Sequence, residues 1–170
     1  MRIAQVAPLI ESVPPKHYGG TERIAAKVDR ADRCYFKRVI EPLLNDPHVE
    51  WIGEITDKQK NEFLGKAHAL LFPIDWPEPF GLVMIEAMAC GTPVIAYDRG
   101  SVPEVMENGV TGFVVRELDE AVEATRRVRD FSRAGCREVF ENRFTADRMA
   151  SDYVDVYERM VHQGATYAYA

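Results

Sequence analysis

The feature that most constrains this chain is an alternation of short apolar runs with helix-patterned segments. The runs "VEWIG" (Val49–Gly53), "ALLFP" (Ala69–Pro73), "PVIAY" (Pro93–Tyr97) and "GFVV" (Gly112–Val115) are separated by helical stretches over Asp57–Ala67 and Leu82–Cys90 and by a short helix near Val102–Glu107. Strands that are apolar on successive residues are buried on both faces, and helices between them imply parallel pairing. The expected fold is α/β, a Rossmann-like doubly wound parallel sheet in a single domain. From Glu117 onward the pattern is helical in three segments, with Thr145 the N-cap of the last, and no strand returns. The closing "GATYAYA", residues 164–170, is expected to fray.

Upstream, "RIAQVAP" (Arg2–Pro8) reads as a short buried strand and "LIESVPPKHYGGTER" as an ordered turn rich in Pro and Gly. Apolar residues at Tyr35, Phe36, Val39, Ile40, Leu43 and Leu44 have amphipathic helix spacing, interrupted by Pro42 near its end. With 170 residues, 46% of them hydrophobic, the chain has material for one ordinary core. The net charge of −6, with Lys and Arg scattered among acids, excludes a nucleic-acid footprint. Cys34, Cys90 and Cys136 lack zinc-site spacing and read as reduced thiols. No run matches a membrane span or a secretory h-region, so the expectation is a soluble, cytoplasmic protein.

In open α/β sheets, ligands sit beyond the carboxyl ends of strands, where loops lead into helix N-termini. "WPEPFGLVMIEAMAC" is such a junction. Gly81 opens a helix, and the N–H groups of Gly81, Leu82 and Val83 would face outward with the positive end of the helix dipole behind them. Glu86, one turn in, suits the vicinal diol of a ribose, and Glu78, in the loop, reaches a second polyol beyond the phosphates. Two acceptors flanking an anion site point to a sugar nucleotide. The plain alternative is a loop charge and a helix-face glutamate. Against it, Glu86 is set among Val83, Met84, Ile85, Ala87, Met88 and Ala89, where a carboxylate needs a partner or a ligand.

"EPFGLVMIE" followed by "AMACGTPVIAYDRGSVPEVMENGVTGFVV" resembles the donor-binding half of GT-B glycosyltransferases of family 4, the retaining group that uses nucleotide-activated sugars. The resemblance runs from about Ala26 to Val161. It implies a partial GT-B fold whose C-terminal donor-binding domain covers residues 26–163, with residues 1–25 resembling the strand and glycine loop that open the acceptor-side domain. By resemblance the activity is hexosyl transfer. Glu86 would take the ribose hydroxyls and Glu78, the catalytic-side residue, the hydroxyls of the donor sugar. Phe80, Gly81, Leu82 and Val83 would supply backbone contacts, Trp51, Ile52 and Gly53 would border the base, and Gly19 and Gly20 would face the phosphates. No cofactor and no metal are expected, the donor being the nucleotide-diphosphate sugar.

The pattern also breaks. The rest of the acceptor domain is absent between Ile24 and Ala26, as is the Gly-Arg then Lys-Gly pattern with which the family neutralises the leaving diphosphate. Lys16, Arg23 and Lys27 are candidate substitutes, though each also reads as a solvated charge. Preorganised positive charge carries much of such catalysis, so an isolated monomer is expected to be weak or inactive. "RIAQVAP" is expected to fill the centre of the sheet, between Val49–Gly53 and Ala69–Pro73; exchange between two chains, giving a homodimer or a complementing pair, is the alternative. His17, beside Tyr18 and the glycine pair, reads as a surface or acceptor-side histidine before a catalytic base, and His48, His68 and His162 show no carboxylate partner in sequence. Trp76 is open between sugar stacking and core closure, and Gly100, Gly109 and Gly112 read as turn residues. Non-catalytic nucleotide-diphosphate binding and a vestigial structural module stand beside transfer as readings of function.

Overall fold

The computed structural model describes residues 3–5, 33–50, 52 and 55–167. Lys16, His17, Gly19, Gly20, Arg23, Lys27, Trp51 and Gly53 lie outside the described residues. Four strands, β1 (Ile3–Gln5), β2 (Ala69–Phe72), β3 (Val94–Tyr97) and β4 (Gly112–Val115), form one parallel sheet in that order. The opening strand does pair with β2, Ile3 opposite Ala69. Its expected central position is corrected: among the described residues β1 is at the edge of the sheet, and Val49, Glu50 and Ile52 form no strand beyond it.

The helices follow the expected alternation. A helical segment opens with α1 (Arg33–Tyr35), widens into a π-helical turn at Phe36–Ile40 and closes with α2 (Glu41–Leu44). Pro42 has no N–H to give Arg38 and its ring crowds that carbonyl; the Glu41 N–H bonds Phe36 O five residues back instead. Then come α3 (Asp57–Lys66), α4 (Leu82–Ala89), α5 (Val102–Val105), α6 (Leu118–Arg127), α7 (Arg133–Arg143) and α8 (Ala146–Tyr167).

Residues alternate between two cores along the strands. Leu70, Phe72, Val94, Ala96 and Val114 meet Leu64 of α3, Met84, Ile85 and Met88 of α4, and Val102 and Val105 of α5. On the opposite face, Ala69, Leu71, Ile95, Tyr97, Phe113 and Val115 meet Ala121 and Ala124 of α6, Val128 and Phe131. Both faces are covered, which is why the strands read as continuous apolar runs. Arg133 ties α7 to the sheet's amino edge, donating to Ala67 O at 2.8 Å, Gly65 O at 2.7 Å and Thr92 Oγ1 at 2.8 Å.

The Thr145 hydroxyl accepts from Arg148 N at 3.3 Å, as an N-cap does. Beyond it α8 continues through Tyr167, so helix replaces the fraying expected of residues 164–167. Residues 146–162 of α8 are all exposed. None of the helices among the described residues is long and apolar enough to cross a membrane.

Candidate functional site

The loops that leave β2 and β3 meet at the carboxyl edge of the sheet and are tied together twice. Ser101 N donates to the carbonyl of Glu78 at 2.8 Å, and Arg99 Nε donates to Asp75 Oδ1 at 2.9 Å. Gly100, expected to be a turn residue, has φ of +52° and also lies against the Glu78 peptide: a Cβ there would sit 2.3 Å from Glu78 O and 2.4 Å from Glu78 N. The position therefore requires glycine for close approach as well as for conformation. The Ser101 hydroxyl is buried beside this junction with no hydrogen-bond partner among the described residues.

The junction holds Glu78 at the start of α4. Gly81 is the N-cap, with φ of +75°, and a Cβ there would come within 2.3 Å of Met84 Cε. Its N–H donates to Glu78 Oε1 at 3.0 Å, with Phe80 N at 3.5 Å from the same oxygen. The Gly81 N–H, expected to face outward, thus already meets a protein acceptor: a carboxylate is drawn to the positive end of the helix dipole. Among the described residues no acceptor meets the N–H groups of Leu82 and Val83.

Glu86 sits on the same helix between buried Ile85 and Ala87, and its side chain is partly exposed. The partner it needs is Lys60, whose Nζ donates to Glu86 Oε1 at 2.6 Å. Lys60 is set by the start of α3, where both the N–H and the hydroxyl of Thr56 donate to Gln59 Oε1, at 3.0 and 2.9 Å. Sequence reasoning missed Lys60. In α3 it is one of several lysines, and nothing local marks the one that faces α4.

Around the mouth Trp76, Phe80 and Leu82 are 47%, 51% and 54% exposed, so Trp76 does not close the core. Away from this edge, His48, which showed no partner in sequence, pairs with Asp46, Nδ1 to Oδ1 at 3.0 Å. Bonds from the His48 N–H and ring hold the exposed Asp46 carboxyl below its usual range. The three described thiols are free, and burial pushes Cys90 and Cys136 up from the ordinary thiol value.

A parallel sheet covered on both faces, with a glutamate-capped helix N-terminus at its carboxyl edge, is a Rossmann-like domain of the kind that GT-B glycosyltransferases carry. Residues 22–141 match the family described as glycosyl transferases group 1, and the chain belongs to that family. Alpha-maltose-1-phosphate synthase of Mycobacterium tuberculosis is 41% identical over 85 residues, 49% of this chain and 22% of that protein. The solved sucrose-phosphate synthase from Thermosynechococcus elongatus is 27% identical with a TM-score of 0.64, over 81% of this chain and 36% of that one. Anabaena HepE, solved in complex with UDP, superposes with a TM-score of 0.65 at 22% identity, over 77% of this chain and 38% of that one, a likeness of fold. The chain spans about a third of the length of the curated relatives it matches, or less.

Proposed function

We infer that this chain is a shortened, donor-binding half of a retaining family 4 GT-B glycosyltransferase, and that it binds a nucleotide-diphosphate sugar. Glu86 takes the ribose hydroxyls. Glu78 takes those of the donor sugar, and Phe80, Gly81, Leu82 and Val83 offer backbone to the sugar and diphosphate. Support comes from the family, from HepE having been solved with UDP, and chiefly from the contact of Gly81 N–H with Glu78 Oε1 at 3.0 Å. There a carboxylate oxygen stands where a ligand oxygen would be received, so donor binding exchanges one anionic acceptor for another at a preformed helix start.

Transfer needs stabilisation of an oxocarbenium-like sugar and a departing diphosphate. On this reading transfer by an isolated monomer is weak or absent, and a second copy or a complementing chain is needed for turnover. The diphosphate charge is met by the helix dipole and basic side chains, without metal or cofactor, in the cytoplasm. A specific observation favours a second reading, the structural module: each glutamate already has a protein partner, Gly81 for Glu78 and Lys60 for Glu86. The two separate on UDP-glucose, UDP and apparent mass. Donor binding by a monomer, with release of glucose only in a dimer or with added partner chain, supports the first; a chain indifferent to UDP-glucose and UDP in every state supports the second.

A further inference from the structure

The connectivity α3–β2–α4 makes the two helices parallel neighbours, each starting at the sheet's carboxyl edge. Lys60 lies at the end of the first turn of α3 and Glu86 in the second turn of α4, so their contact is made close to that edge. The Lys60 side chain is 20% exposed and that of Glu86 37%. With Lys60 largely covered and Glu86 partly so, the pair is less screened than a fully exposed surface ion pair. Among the described residues the contact engages Oε1, and no donor meets Oε2.

We propose that Lys60 is a positioning residue of the nucleotide end of the site: it holds the Glu86 carboxylate through Oε1 and leaves Oε2 as the acceptor for a ribose hydroxyl. A glutamate alone on this helix would sample several rotamers, and binding would have to restrict them; the ammonium restricts them beforehand. The inference rests on the reading of Glu86 as the ribose acceptor.

The test compares UDP, GDP and ADP with their 2′,3′-dideoxy analogues by titration calorimetry on the wild-type chain, Lys60→Met, Lys60→Arg and Glu86→Ala. Wild type is expected to prefer the ribose form. Lys60→Met should weaken that form roughly tenfold, the scale of one charge-assisted hydrogen bond, and leave the dideoxy form within about twofold. Lys60→Arg should recover most of the preference. If Lys60→Met fails to fold, Lys60→Gln serves, since it removes the charge and keeps a donor. Equal weakening of both forms, or an unchanged preference in a folded variant, overturns the role of Lys60 while leaving Glu86 as the ribose acceptor. A wild-type chain that binds without preference, or binds none of the three, overturns both readings.

Discussion

Replacing Gly100 with alanine should displace the Glu78 loop and reduce stability by an amount the geometry sets. The added Cβ would lie 2.3 Å from Glu78 O, 2.4 Å from Glu78 N and 2.7 Å from the Pro77 carbonyl carbon. Ordinary contact needs a shift of about 1 Å, and all three atoms are backbone, so no side chain can rotate away. Left-handed strain contributes about 1 kcal/mol. Forced repacking, together with loosening of the Ser101 N to Glu78 O bond, contributes about 2 kcal/mol. The loss of about 3 kcal/mol corresponds to a melting shift of about 6–12 °C for a chain of this size. Gly109→Ala is the control, because Gly109 has φ of +86° but nothing within 4 Å of its added Cβ. It should cost about 1 kcal/mol, or about 2–4 °C. Circular-dichroism melts of both variants give the difference. Equal shifts would refute the close approach to Glu78 and leave Gly100 as a turn residue.

Other outcomes follow from single contacts. Arg133→Met removes the donor to Ala67 O, Gly65 O and Thr92 Oγ1 and should lower stability by about 3 kcal/mol in urea; a change under about 0.5 kcal/mol would contradict the tie. Ser101→Ala deletes a buried hydroxyl without a partner among the described residues, so the folded chain should be as stable or up to about 1 kcal/mol more so, and a clear loss would reveal a bond to that hydroxyl. With a thiol reagent at pH 8, exposed Cys34 should react at once. Cys136, buried and with its thiol pushed up by burial, holds less thiolate and should react only after denaturation, so prompt reaction of Cys136 would contradict its packing.

What the sequence made legible is what depends on neighbours along the chain. The β4 bounds, Gly112–Val115, follow from a four-residue apolar run between turns, and the start of α4 follows from Gly81 before an apolar helix. The place of the opening strand was not legible. Hydrophobicity says that "RIAQVAP" is buried, but edge or centre depends on whether residues 49–53 pair beside it, a tertiary fact. The π-helical turn needed the geometry of Pro42 against Arg38. At the site, the helix start and its glutamates stand out in sequence, whereas Lys60 and Gly100 act on residues 26 and 22 positions away, so no local spacing connects them to Glu86 and Glu78. Gly100 was visible as a glycine and invisible as a contact.

The central claim is that the carboxyl edge of this sheet receives a nucleotide diphosphate between Glu78 and Glu86. The measurement that tests it most directly is calorimetric titration of the purified chain with UDP, GDP and ADP, repeated on Glu86→Ala. Saturable binding of at least one nucleotide, lost on substitution while the melt stays that of a folded protein, is the predicted result. No binding of any of the three, or binding that Glu86→Ala leaves unchanged, would contradict it.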